Sequence, residues 1–311
     1  MSSKIRLGTR GSQLALTQSN LIAKALRDSG VDVEVIQIKT SGDQSTQSLA
    51  QIGGQGVFTK KIQRALLDQK IDLAVHSLKD LPTVVIEGLK ITAVPKREDV
   101  RDVIVVKTSL QSTVQSLDDL PANAKVGTGS MRRRAQLLQL RNDLDVLDIR
   151  GNVDTRLEKL ESGEFDAIVL ASAGLRRLGL ESRIAFAFST DQMAPAVGQG
   201  ALGLEVRSDD ERSAEIVSQL NDQHSYSGAM AERSLLRALQ AGCMAPVGTT
   251  SKISDGQLEL TGVISSLDGT QQFVKSSISV IGNAEALGIE VAEMLIKAGA
   301  GPLLNTKESG N

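Results

Sequence analysis

Lys4-Ile5-Arg6-Leu7-Gly8-Thr9-Arg10-Gly11-Ser12 opens the chain with a short apolar-alternating run, a glycine turn and a serine that can cap a helix. The helix it predicts runs from Ser12 through Arg27, with Leu14, Leu21, Ile22, Ala25 and Leu26 inward, and ends before Gly30. Strands are then predicted over Val31 to Lys39 and Ile71 to His76, with a helix over Val57 to Gln69 between them. The stretch from Thr40 to Gly56 is polar and rich in glycine, the composition of a mobile loop.

The same strand, turn and helix order starts again further along. Val103 to Val106, Lys125 to Gly127, Leu144 to Ile149 and Phe165 to Ala171 read as strands, with helices over Ser130 to Arg141 and Asn152 to Glu161. Gly127-Thr128-Gly129-Ser130 echoes Gly8-Thr9-Arg10-Gly11-Ser12, as if two related lobes were present. Such alternation calls for mostly parallel sheets covered by helices, an α/β class. A strand over Ala201 to Val206 and a helix near Ala214 to Leu220 can rejoin the first lobe. The remainder changes character, with a helix near Tyr226 to Leu239, strands Gln257 to Ile264 and Gln272 to Val280, and a helix Ala284 to Lys297. That order predicts a small α+β domain.

Composition removes several function classes. The 311 residues hold 35 basic and 37 acidic side chains, a net charge of −2, which argues against a coat for nucleic acid or an anionic membrane. Aromatics are 2%, so platforms for base stacking are scarce. The single cysteine, Cys243, allows no internal disulfide, and with only His76 and His224 no metal site is expected. The first residues lack a signal-peptide apolar stretch, and no run of about 18 apolar residues exists. A soluble cytoplasmic protein is the expectation.

Three constellations carry chemistry. The glycine turns before Ser12 and Ser130 place amide hydrogens and a positive dipole end where a carboxylate or phosphate settles, although an ordinary serine-capped turn has the same pattern. Arg132, Arg133 and Arg134 open a helix at the end where cations are disfavoured, so something negative should compensate them. Arg150, Arg156, Arg176 and Arg177 follow other strands and can converge on the carboxyl edge of a sheet, with a solvated basic face as the alternative. In Val75-His76-Ser77-Leu78-Lys79-Asp80-Leu81-Pro82 an apolar strand ends and presents a cation and an acid, which makes Asp80 an acid/base candidate against the plainer reading of a surface ion pair. Cys243 lies in Ala241-Gly242-Cys243-Met244-Ala245-Pro246, a small-residue turn suited to a covalent attachment point or to a small buried hydrophobe.

Taken in order, these motifs resemble one family along essentially the whole chain. They are Gly8 to Ser12, His76 to Pro82, Arg97-Glu98-Asp99 with Arg101-Asp102, Gly127 to Arg133, and Arg150-Gly151-Asn152-Val153-Asp154-Thr155-Arg156. Further on come Ala173-Gly174-Leu175-Arg176-Arg177-Leu178-Gly179, Pro195-Ala196-Val197-Gly198-Gln199-Gly200 and Gly242-Cys243. The sequence is similar to the porphobilinogen deaminase (hydroxymethylbilane synthase) family. The resemblance implies two periplasmic-binding-protein-like (type II) α/β domains plus a small α+β C-terminal domain, over residues 1–96 with 200–219, 101–194 and 222–311. It implies a transferase of tetrapyrrole biosynthesis that condenses four porphobilinogen molecules, with loss of ammonia, on a dipyrromethane cofactor, one per chain, held through a thioether at Cys243. Asp80 would be the catalytic carboxylate. Lys79, Thr128, Ser130, Arg132, Arg133 and Arg150 would bind the cofactor, and Arg10, Ser12, Arg156, Arg177 and Gln199 the substrate and growing chain. Phe58 and Lys60 match the family's lid, whereas Gln51 and Gln55 stand where many members have lysine, and Lys61 replaces a commonly acidic residue. The family precedent is a monomer without metal, nucleic-acid or membrane partner.

Three other classes compete. An exported solute-binding protein shares the fold but needs neither Cys243 nor Asp80; a nucleic-acid binder would use Arg132 to Arg134; and a cysteine hydrolase would need His76 or His224 beside Cys243.

Overall fold

The computed structural model describes residues 4–38, 59–242 and 245–304. In chain order the elements begin with β1 (Ile5–Thr9), α1 (Gln13–Asp28), β2 (Val33–Gln37), α2 (Lys60–Leu67), β3 (Leu73–Ser77), β4 (Leu89–Ala93), β5 (Asp102–Val106), β6 (Lys125–Gly127) and α3 (Met131–Leu140). They continue with β7 (Asp145–Leu147), α4 (Val153–Ser162), β8 (Ala167–Ala171), α5 (Ser172–Arg177), β9 (Phe186–Ala187), β10 (Leu202–Arg207) and α6 (Glu211–Ser218). The last are α7 (Gln223–Ala238), β11 (Val247–Ser254), β12 (Gln257–Ser265), β13 (Gln272–Val280) and α8 (Ala284–Lys297). The chain divides into two compact units, Met1–Glu98 with Gly200–Ala229, and Asp99–Gln199 with Met230–Asn311.

The first unit holds a five-stranded sheet of order β2-β1-β3-β10-β4, in which β1 pairs in parallel with β2 and β3, and β10 runs antiparallel to β3 and β4. Ser12 starts α1 as expected, its hydroxyl accepting from the Ala15 amide. Ile22, Ala23 and Leu26 of that helix pack with Ile5, Leu7, Leu73, Val75 and Leu204 on one face. Leu21, expected to face inward, is 56% exposed, because the buried stripe through Gln18, Ser19, Ile22 and Leu26 leaves it on the far side of the helix. On the other face Ile62 and Leu66 of α2 cover Ile71 and Ala74.

The second unit repeats this plan. Its larger sheet has the order β7-β6-β8-β5-β9, with β6, β7 and β8 parallel and β5 antiparallel to both neighbours. The echo read between Gly8 to Ser12 and Gly127 to Ser130 is therefore positional: each spans the carboxyl end of the second strand in the order of a sheet whose fourth strand is reversed. This is the type II periplasmic-binding-protein arrangement expected of both α/β lobes. Leu137 of α3 and Leu160 of α4 fill opposite faces. Within the same unit, β11-β12-β13 form an antiparallel sheet whose core gathers Leu235 and Leu239 of α7, Leu258, Leu260 and Ile264, and Leu287, Val291 and Leu295 of α8. Val197 joins that core, and Thr249 donates its amide to the Pro195 carbonyl at 2.8 Å.

Gly200 shows why the Pro195 to Gly200 run needs glycine. Its φ is +82°, and an added Cβ would come within 2.5 Å of the Glu98 carbonyl oxygen. Gly200→Ala is expected to cost about 2–4 kcal/mol, the sum of a left-handed L-residue and a backbone displacement, read as a lower urea midpoint. A midpoint equal to the parent's would show that the loop relaxes freely.

Candidate active site

In the first unit β1 and β3 are parallel neighbours, with Leu7 opposite Leu73 and Gly8 opposite Ala74, so their carboxyl ends lie along one sheet edge. Arg10, Gly11 and Ser12 follow β1, and a 3₁₀ turn, Leu78–Asp80, follows β3. The close approach at Gly8, where a Cβ would meet Ile71 at 2.3 Å, brings the strand end down onto its neighbour. The turn after β3 is anchored from below. The Leu78 amide donates to the Ala201 carbonyl at 3.0 Å, and its buried side chain lies over Gly203, whose Cβ would come within 2.7 Å of it. On the opposite face Ser77 Oγ accepts from Gln18 Nε2 at 2.9 Å. Arg10 and Lys79 are half-buried, and Asp80 is exposed. No hydrogen bond or ion pair of the Asp80 carboxylate is found among the described residues.

The second unit furnishes its own edge. Parallel strands β6 and β7 end at Thr128 to Ser130 and at Asp148 to Arg150, and α5 follows β8 directly with Arg176 and Arg177 in its last turn. Thr128 is buried, its Oγ1 accepting from the Ser130 amide at 3.2 Å, while Ser130 caps α3 by accepting from the Arg133 amide at 3.5 Å. The charges that follow are matched within the protein. Arg132 Nη1 is 2.8 Å from Asp102 Oδ2, and Arg133 Nη2 donates to Asp102 Oδ1 at 2.7 Å. Gln199 Nε2 adds a 2.9 Å bond to the same Oδ1 and a 2.7 Å bond to the Val100 carbonyl.

Asp102 is fully buried at the start of β5. Burial on its own would raise its carboxyl, but the charges of Arg132 and Arg133 and the bonds from Arg132 and Gln199 outweigh it and hold the group well below the usual carboxylate range. Burial lowers the Arg132 guanidinium, with the Asp102 charge opposing that shift. The anion that the arginines at the start of α3 require is thus supplied by β5.

The other arginines sit closer to solvent. Arg150 Nε donates to Asp148 Oδ2 at 2.8 Å, a pair whose side chains are 33% and 56% exposed. Arg156, half-buried on α4, gives its Nε to the Gly151 carbonyl at 2.8 Å. Arg176 Nε reaches Ser172 Oγ at 3.2 Å and lies 3.8 Å from Asp99, whose carboxyl the bonds from Arg101 bring down to about 2. Arg177 is half-buried.

The first unit therefore holds Arg10, Ser12, Lys79 and Asp80, and the second holds Thr128, Ser130, Arg132, Arg133, Arg150, Arg156, Arg177 and Gln199. Lys60 is the exposed first residue of α2. Phe58, Cys243, Gln51 and Gln55 lie outside the described residues. The group that the sequence left without a role is Asp102. An acid heading the apolar strand Val103 to Val106 signals a buried counter-ion, and three basic residues opening α3 are its natural partners.

Two family models match the chain: "Porphobilinogen deaminase, dipyromethane cofactor binding domain" over residues 5–215, and "Porphobilinogen deaminase, C-terminal domain" over residues 226–297. Among relatives named porphobilinogen deaminase, that of Chlorobaculum parvum is 46% identical over 312 residues, 98% of each chain. That of Syntrophobacter fumaroxidans is 44% identical over 303 residues, 96% of each, and that of Alkaliphilus metalliredigens 41% over 310 residues, 99% of this chain and 96% of the other.

Proposed function

This chain belongs to the porphobilinogen deaminase family, and from that premise we propose that it joins four porphobilinogen molecules head to tail, releasing ammonia at each step and finally hydroxymethylbilane. The observation that carries the reading is the state of Asp80. Asp72 is matched by Arg6 and Arg207, Asp99 by Arg101, and Asp102 by Arg132 and Arg133, whereas Asp80 presents an exposed carboxylate at a strand edge otherwise supplied with cations.

The donor set suits an acid-rich dipyrromethane. Arg150, Arg156 and Arg177 are partly exposed guanidinium groups at one sheet edge, and Thr128 and Ser130 add hydroxyls there. The arginine fork matches a carboxylate in two places at once. Such a group, bound, supplies the primer to which pyrrole units are added, one per chain and attached at Cys243. Arg150, Thr128 and Ser130 would hold its acid side chains, and the family's pattern assigns Lys79 to the cofactor as well. Arg132, Arg133 and Gln199, assigned to cofactor and substrate by the family's pattern, form the buried support of that edge. Arg10, Ser12, Arg156 and Arg177 receive the carboxylates of porphobilinogen and the growing chain, and Phe58 and Lys60 act as lid residues.

Asp80 performs the chemistry. The aminomethyl group of porphobilinogen leaves as ammonia, pushed out by the pyrrole nitrogen; the carboxylate steadies the cation that results, the free α-carbon of another pyrrole unit attacks it, and the proton lost from that carbon passes to the carboxylate, balancing the one the departing amine carries away. We assign the three domains to 1–96 with 200–219, 101–194 and 222–311, each with a sheet of its own. The protein acts as a cytoplasmic monomer on a small molecule, with neither nucleic acid nor membrane as partner. No helix among the described residues is long and apolar enough to cross a membrane.

Mass spectrometry of the purified protein tests the attachment. A stable dipyrromethane mass is expected on the peptide containing Cys243, and an unmodified thiol in protein that consumes porphobilinogen would overturn it.

A further inference from the structure

On the α2 face of the first unit's sheet, three polar side chains sit inside the apolar core. His76 and Glu205 are each 5% exposed and Gln63 is 4% exposed. His76 Nε2 lies 3.0 Å from Glu205 Oε2, and Gln63 Nε2 donates to Glu205 Oε1 at 3.0 Å. They join β3, β10 and α2 at one point. Burying a carboxylate costs several kcal/mol, and well-packed apolar side chains would serve stability as well. What the trio adds is direction.

The place of that constraint is informative. His76 is the register partner of Gly203 and stands four residues before Asp80; Leu78, between them, hangs on the Ala201 carbonyl and lies over Gly203. The position of the Leu78–Asp80 turn is therefore set by how β10 lies against β3. The β10–β3 ladder is regular from Leu202 to Glu205, whereas on its other edge the register of β10 with β4 shifts between Leu204 and Glu205. The Glu205 carboxylate sits at that irregularity and ties β10 to His76 on one side and to α2 on the other.

We propose that His76 is a positioning residue for Asp80, acting through Glu205 and the β10 backbone that carries the Leu78–Asp80 turn. The inference rests on the role given to Asp80 above.

The test separates position from stability. His76→Phe alone leaves Glu205 with an unpaired buried charge and is expected to lower Tm. His76→Phe combined with Glu205→Gln removes that charge while keeping a partner for Gln63, so Tm should return to within a few degrees of the parent. With the dipyrromethane mass intact, the double variant should show kcat lowered by about tenfold or more and KM within about twofold. Amide hydrogen exchange over residues 77–82 should be faster. Glu205→Gln alone, which keeps a bond to both neighbours, should retain kcat within about threefold. Recovery of kcat together with Tm in the double variant would overturn the proposal, as would unchanged exchange over 77–82. Parent protein that fails to consume porphobilinogen would instead remove the role of Asp80, and the exchange measurement would still report on the turn.

Discussion

Asp80→Asn should lower kcat by about a thousandfold while the protein folds, melts and carries its dipyrromethane mass as the parent does. The side chain is exposed and has no hydrogen bond or ion pair among the described residues, so a substitution of equal shape changes stability by no more than about 0.5 kcal/mol. What it removes is a charge. A carboxylate about 4 Å from a developing cation contributes roughly 4 kcal/mol at an effective dielectric near 20. At about 1.4 kcal/mol per factor of ten, that corresponds to about three powers of ten in rate. The measurement is ammonia release under porphobilinogen saturation, with Tm and intact mass as controls. A rate within tenfold of the parent would show that another group steadies the cation, and a loss accompanied by a lower Tm would show that Asp80 is structural.

Asp80 was legible because local rules place it: an apolar strand must end, and Pro82 forbids a helix, so Lys79 and Asp80 fall on the edge. The same logic located Ser12 and Ser130 as caps and found β6, β13 and α8 at their observed bounds. It failed where distant partners decide. Strands β4 and β9 are short and form only against β10 and β5, the reversed strands that arrive from elsewhere in the chain. Strand β11 is largely polar along its length and is held by β12. The arginines show the same division. Their pattern required a negative partner, and a ligand satisfied it on paper as well as a carboxylate did. Only the pairing of β5 with β8, Asp102 opposite Ala171, brings that carboxylate to the start of α3.

That pairing makes Asp102 the residue whose loss should cost the fold most. Asp102→Asn leaves two guanidinium groups, each less than a tenth exposed, without the charge that matches them. Breaking a buried pair by removing one partner costs about 3–5 kcal/mol, so the urea midpoint at pH 7 should drop sharply. The pH dependence has a definite sign. The folded-state carboxyl lies below its unfolded value, so its contribution is present above the ordinary aspartate range near 3.9 and is lost as pH falls through that range toward the depressed folded value. The gap between parent and variant should therefore be constant from about pH 5 to 8 and narrow below about pH 4. An equal gap at pH 3 and pH 7 would show that the loss comes from packing. Replacing all three groups together, Asp102→Leu with Arg132→Met and Arg133→Met, should restore much of the midpoint, because no charge is then left buried alone. Activity should not return with it, since the same guanidinium groups carry the Thr128 to Ser130 edge that we propose receives acid side chains.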